Sequence, residues 1–122
     1  MGAKKELVTT LKRLNTSIQT KVPIIIDTND KRINKLLKVL IEHQILFIRN
    51  NFPKSCVVQV SPHVKKIQIL AIITKASQIK SWVNKILPNG RGHLLMTTTQ
   101  GLITHIEAEK KGLGGEILAG IE

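Results

Sequence analysis

The sequence predicts an α+β protein made of two small α/β subdomains. The N-terminal one, residues 1–62, has the order α-β-α-β-β; the C-terminal one, residues 63–122, is rich in strands and carries one short helix. Three observations carry this reading. Apolar residues switch between helical and strand periodicity along the chain. A Ser61-Pro62-His63 break falls near its middle, and glycine-bearing turns punctuate the second half. With 122 residues, 42% hydrophobic and 22% charged, the composition is that of a globular protein with a real core.

Taken in order, Leu7, Leu11, Leu14 and Ile18 recur at helical spacing, with Lys4, Lys5, Lys12 and Arg13 on the remaining surface, which predicts an amphipathic helix from Lys4 to about Ser17. Val22–Ile26 is a β-branched run between Pro23 and an Asp27-Thr28-Asn29-Asp30 cluster, hence a strand. Asn29 or Asp30 then caps a second helix, whose Ile33, Leu36, Leu37, Leu40 and Ile41 form one stripe and whose Lys31, Arg32, Lys35 and Lys38 form the other. Ile45–Arg49 and Cys56–Val60 read as a hairpin closed by Asn50-Asn51-Phe52-Pro53-Lys54.

In the second half, Lys66–Thr74 is apolar on both faces, as a covered central strand is. Gln78–Leu87 fits a helix through Ile79, Val83 and Ile86 and a strand through Ile79, Ser81 and Val83. Pro88-Asn89-Gly90-Arg91-Gly92 is a turn, His93–Thr98 a strand, and Gln100-Gly101 another turn. Thr104 and Glu107 have capping-box spacing for a short helix from His105, which Gly112 ends before a last strand, Glu116–Ile121.

Composition narrows the function. Nineteen Lys and Arg against eight Asp and Glu leave a net charge of +11, which calls for a polyanionic partner, nucleic acid first. The excess is uneven: residues 1–91 hold 17 cations against 4 acids, residues 92–122 only 2 against 4. Fifteen of the nineteen are lysines, which act on phosphate as point charges rather than as planar readers of base edges. Phe47, Phe52 and Trp82 are too scattered for a sheet that stacks single-stranded RNA.

Enzyme classes find no support. The histidines His43, His63, His93 and His105 are scattered, no carboxylate pair shares a helix face, and Glu107 reads as a cap. The lone Cys56 excludes an intrachain disulfide and reads as a buried small hydrophobe. No Cys/His cluster has zinc-ligand spacing, and the glycine segments lack the P-loop and dinucleotide patterns, so no metal, cofactor or small-molecule substrate is expected. The longest apolar runs are far shorter than the roughly 20 residues of a membrane-spanning helix, and the apolar stripes are needed for the core, so no membrane partner is expected either. The amino terminus has no apolar signal stretch, so the protein is expected to act where it is made or after removal of a transit peptide.

The run Thr97-Thr98-Thr99-Gln100-Gly101 has high strand propensity, which alone explains much of it. Between two glycine turns, however, neutral hydroxyls beside exposed backbone can bond bases, ribose and phosphate of an irregular RNA. Gly112-Leu113-Gly114-Gly115-Glu116 holds one glycine more than a helix stop needs, which lets another backbone come close.

Together these segments, from Gly90-Arg91-Gly92-His93-Leu94-Leu95-Met96-Thr97-Thr98-Thr99-Gln100-Gly101-Leu102-Ile103-Thr104 through Ala108 to Gly112-Leu113-Gly114-Gly115-Glu116, resemble the signature of the small-subunit ribosomal protein S8 family. Upstream, Leu11-Lys12-Arg13-Leu14 and Ile73-Thr74-Lys75 are similar to shorter family motifs. The resemblance implies a structural constituent of the small ribosomal subunit and a primary binder of the central domain of its rRNA, with neighbouring small-subunit proteins as its other partners. By position, Thr97, Thr98 and Thr99, with Gln100 and Gly101, would contact bases and backbone of an irregular helix. Gly114, Gly115 and Glu116 would complete that surface, while Lys75, Ser77 and the first-helix cations Lys4, Lys5, Lys12 and Arg13 would hold neighbouring phosphates. The chain departs from the pattern at Ala76-Ser77, where Pro-Gly is usual, at Ser81, where a stacking Tyr is common, and at Gln100, where Lys is usual. The Lys, Ile and Asn bias points to an AT-rich genome, and an organelle-encoded mitochondrial product is favoured over a bacterial or plastid one. A free translational repressor, a small basic nuclease and a membrane-surface module are the alternatives.

Overall fold

The structure of the protein, a computed structural model, describes residues 2–88 and 90–122, with side chains from residue 5 onward. It divides into two compact units, Met1–Lys66 and Ile67–Glu122. The first holds 13 Lys and Arg against 4 acids, the second 6 against 4.

The first unit runs α1 (Gly2–Thr20), β1 (Ile24–Asp27), α2 (Lys31–Glu42), β2 (Leu46–Asn51) and β3 (Ser55–Val60), the predicted α-β-α-β-β order. Its strands form an antiparallel sheet in the order β1-β3-β2. Leu7, Leu11 and Leu14 of α1 and Ile33, Leu36, Leu37 and Leu40 of α2 are buried, each such side chain stabilising the fold by about 1.5–3 kcal/mol. The end of α1 is tied to the following strand by Ser17 Oγ, which donates to the Val22 carbonyl at 2.6 Å. Of the two candidate caps, Asp30 is used: its carboxylate accepts from the Arg32 amide at 2.9 Å. The β2–β3 hairpin closes with the Phe52 amide donating to the Ser55 carbonyl at 2.9 Å, and the Thr28 amide pins the turn to the exit of β1 through the Lys54 carbonyl, also at 2.9 Å.

Glu6 of α1 shares a hydrogen bond with Asp30, which raises the Glu6 carboxyl above its ordinary range and, with the Arg32 amide, lowers that of Asp30. The contact holds best where Asp30 is ionised and Glu6 still protonated. Asp30 loses its contribution as pH falls through its lowered value, and Glu6 loses its own as pH rises through its raised one. Glu6→Gln keeps a donor that cannot ionise. Its melting temperature is therefore expected to exceed that of the parent by a small margin at pH 7, with the difference fading near about pH 4. Thermal melts at both pH values check this, and an equal shift at both would contradict it.

The second unit runs β4 (Ile67–Thr74), a 3₁₀ turn (Ala76–Gln78), α3 (Ile79–Ile86), β5 (His93–Thr98), β6 (Gly101–Thr104), α4 (His105–Lys111) and β7 (Gly115–Ile121). The sheet order is β4-β7-β5-β6, antiparallel throughout. One cross-strand row, Ile72–Ile117–Met96–Ile103, meets Ile79, Trp82, Val83 and Ile86 of α3 and Ala108 of α4 in a single core. His105, buried at the start of α4, accepts from the Leu94 amide through Nδ1 at 3.0 Å.

Four expectations change here. Lys66–Thr74 is not a covered central strand: β4 lies at the sheet edge, Ile73 is 85% exposed, and the centre is β7, buried from Ile117 to Ile121. An unbroken apolar run reports hydrophobicity and not position in the sheet, and β4 keeps a register irregularity between Ile69 and Ile72 that an edge strand tolerates. Residues 79–86 form a helix, so the described residues of this half hold two α-helices instead of one. Residues 101–104 form a strand where the sequence indicated only a turn leading into a helix. Finally, Thr104 occupies the N-cap of α4, but its buried hydroxyl has no partner among the described residues and the capping box with Glu107 does not form. Thr104 also ends β6 opposite Leu95, so strand pairing governs its backbone.

Candidate nucleic-acid interface

The threonine run straddles a strand and a turn. Thr97 and Thr98 close β5, Thr99 and Gln100 form the tip, and Gly101, at φ +97°, starts β6. Thr98 holds this turn together: its hydroxyl donates to the Gly101 carbonyl at 3.0 Å and accepts from the Gln100 amide at 3.1 Å. Its proton is therefore committed within the protein. Thr99 and Gln100 stand exposed at the tip, and Thr97 is half-buried in a row with Ile73, Glu116 and Leu102.

A second loop lies at the same end of the sheet. Beyond Thr74 the chain enters the 3₁₀ turn, closed by the Gln78 amide donating to the Lys75 carbonyl at 3.0 Å, while Thr74 Oγ1 donates to that same carbonyl at 3.0 Å. This leaves Lys75 and Ser77 exposed.

The glycines of the last loop explain why the two loops are neighbours. A Cβ on Gly114 would lie 2.7 Å from the Thr74 carbonyl oxygen and 3.2 Å from the Lys75 Cα. One on Gly115 would lie 2.1 Å from the Thr97 carbonyl oxygen. The extra glycines therefore admit the protein's own backbone on both sides, so that residues 75–77 and 97–101 converge on 114–116. Glu116 lies in register with Ile73 and Thr97, and its carboxylate, an acceptor only, does not suit phosphate.

The first-helix cations belong to the other unit. Lys5 and Lys12 are exposed on α1, and Arg13 donates through Nη2 to the Ile25 carbonyl at 2.7 Å, so its guanidinium also ties α1 to β1. The side chain of Lys4 and the turn residue Asn89 lie outside what the structure describes. The sequence reading missed Lys80 and Lys85, both exposed on α3 directly after the 3₁₀ turn; Lys85 Nζ sits 5.1 Å from the Trp82 ring centre. The Ile79/Val83/Ile86 spacing carried the signal for this helix, masked by a competing strand pattern.

Among the described residues no three His, Cys, Asp or Glu side chains gather as a metal site, and no helix is long and apolar enough to cross a membrane. Burial pushes the Cys56 thiol up from its ordinary value, away from a reactive thiolate. What the surface offers is hydroxyl, amide and backbone groups at two fixed loops, bordered by lysines.

Comparison with known proteins adds an independent line. The family model described as ribosomal protein S8 matches residues 5–121. The chain is 27% identical over 111 residues to the small ribosomal subunit protein uS8 of Agaricus bisporus, covering 85% of each chain. It is 28% identical over 121 residues to the protein of that name from Picrophilus torridus, covering 93% of this chain and 92% of the other. With the Nitrosopumilus maritimus protein it shares 40% identity over 65 residues, 43% of this chain and 50% of that one.

Proposed function

The chain belongs to the ribosomal protein S8 family, and from that premise we propose that it is a structural constituent of the small ribosomal subunit that binds the central domain of small-subunit rRNA early in assembly. The observation that carries this reading is the convergence of residues 75–77 and 97–101 on Gly114–Gly115 at one end of a sheet. Two rigid loops bearing neutral donors and acceptors suit a folded RNA surface, whose irregular shape is read by short polar groups and exposed main chain. Lys75, Lys80, Lys85, Lys5 and Lys12 supply the sequence-independent attraction. Thr98 acts as a positioning residue, holding Thr99 and Gln100 in their presented geometry. The Lys, Ile and Asn bias supports a mitochondrial ribosome as the compartment.

The two contributions separate in one experiment. Thr98→Ala removes two hydrogen bonds of the turn, and its preference for the cognate rRNA helix over a scrambled RNA is expected to fall about tenfold. Lys75→Ala and Lys80→Ala are expected to weaken binding to both RNAs alike, each reducing the slope of log affinity against log salt by about 1. Filter-binding titrations across a salt series measure both. Equal losses on cognate and scrambled RNA for Thr98→Ala would refute the division, and sedimentation away from small subunits would refute the constituent role.

A further inference from the structure

A second feature of the first unit is not used by the loops described above. Between α2 and the β2–β3 hairpin lies an open groove of about 630 Å³. Leu37 and Ile41 from the helix and Ile48, Phe52 and Pro53 from the hairpin supply its apolar walls. Phe52 is 53% exposed and Ile48 43%. Large apolar side chains grouped at the mouth of a cleft offer a ligand apolar area to cover.

Three properties favour a nucleotide. First, the main chain that carries the ring is fixed before anything binds: the Phe52 amide bonds across the hairpin turn, and Thr28 pins that turn through Lys54. An exposed aromatic face on a fixed turn is what a base stacks on. Second, the groove is bordered by amides able to meet a base edge. Asn51 lines it, and Asn34, whose Nδ2 is engaged by the Thr28 carbonyl at 2.7 Å, keeps its oxygen as an acceptor. Third, the charge is complementary. Lys38 lines the groove, and Lys31 and Lys35 continue the same exposed stripe of α2 at helical spacing. Glu42, one turn beyond Lys38 on the same helix face, is the one acid in the lining, so the phosphate belongs on the side of Lys38 that leads to Lys35 and Lys31.

We propose that this groove takes one unstacked nucleotide of the small-subunit rRNA, its base against the Phe52 ring and its phosphate on Lys38. The inference rests on the rRNA-binding reading above and adds to it a contact in the other unit, read by stacking instead of by hydroxyls. An acidic peptide from a neighbouring protein is the competing occupant, and it would need the groove's apolar walls but not the planarity of Phe52.

The test places a photo-crosslinking phenylalanine derivative at position 52, and separately at position 99, in the full chain assembled into small subunits. Both positions are expected to crosslink to rRNA. Crosslinking of position 99 to rRNA with position 52 joined to a protein, or to nothing, overturns this inference and leaves the proposed function standing. Failure of both to reach rRNA overturns both. In binding assays Phe52→Ala is expected to lower rRNA affinity at least about fivefold, as loss of one stacked base does, while Phe52→Trp retains it. An unchanged affinity for Phe52→Ala would overturn the stacking role.

Discussion

Replacing Gly115 with alanine is expected to lower affinity for the cognate rRNA helix by more than about tenfold while costing the fold about 1–3 kcal/mol. The new methyl group would stand 2.1 Å from the Thr97 carbonyl oxygen, 3.1 Å from its carbon and 3.2 Å from the Thr98 Cα. All three are main-chain atoms, so no side chain can swing aside to relieve the overlap. β7 and β5 must separate beside the threonine turn, which shifts Thr97, Thr99 and Gln100 relative to the glycine loop. Thermal melts report the stability loss as several degrees, and filter binding on cognate and scrambled RNA reports recognition. A variant that melts earlier yet discriminates as well as the parent would show that the position of this loop does not matter.

Gly92→Ala is expected to be the more damaging change to stability and the less damaging to recognition. Gly92 combines φ +108° with a Cβ position 2.1 Å from the Ile121 carbonyl oxygen. Backbone strain at such a φ and overpacking against main chain each cost roughly 1–3 kcal/mol, so a total of about 2–6 kcal/mol is expected. The insult falls where β5 begins and β7 ends, at the opposite end of the strands from Thr98 and Gly115. Measured at a temperature where it remains folded, as judged by circular dichroism, Gly92→Ala should keep the parent's ratio of cognate to scrambled affinity. A collapse of that ratio in the folded variant would mean that recognition depends on the whole sheet and not on the converging loops.

The parts of this molecule legible in its sequence are those where one residue pattern has one physical reading. Leu7, Leu11 and Leu14, or Ile33, Leu36, Leu37 and Leu40, have a single amphipathic solution, and the helices appear where that solution places them. His93–Thr98 is bounded by turn glycines and emerges with those bounds, and Gly112 ends α4 in the left-handed conformation. Other parts depend on partners distant in sequence. Whether Ile67–Thr74 lies at the centre or the edge is decided by which strands flank it, and β6 is only four residues long, too short for alternation to register. Thr104 has the spacing of a cap, yet it is also a paired strand residue, and the pairing prevails.

The candidate interface divides along the same line. The threonine run, the glycine loop and the basic imbalance stand out in the sequence because their composition is unusual. That Gly114 answers Thr74 and Gly115 answers Thr97 is set by register, and so is the inward use of the Thr98 hydroxyl. The exposed face of α3 was hidden because Ile79, Ser81 and Val83 offered a strand as good as the helix.

The placement of β7 between β4 and β5 has a bearing on how the protein is made. A translating ribosome releases both flanking strands before it synthesises the one that joins them, so the second sheet has no centre until its last strand is available. The lysine-rich first unit holds all its own strands by residue 60 and can condense while the rest is still being polymerised. A nascent chain thus acquires its general attraction for polyanions earlier than its means of choosing among them, and shielding of that first unit during synthesis would keep it from lodging on the wrong transcript.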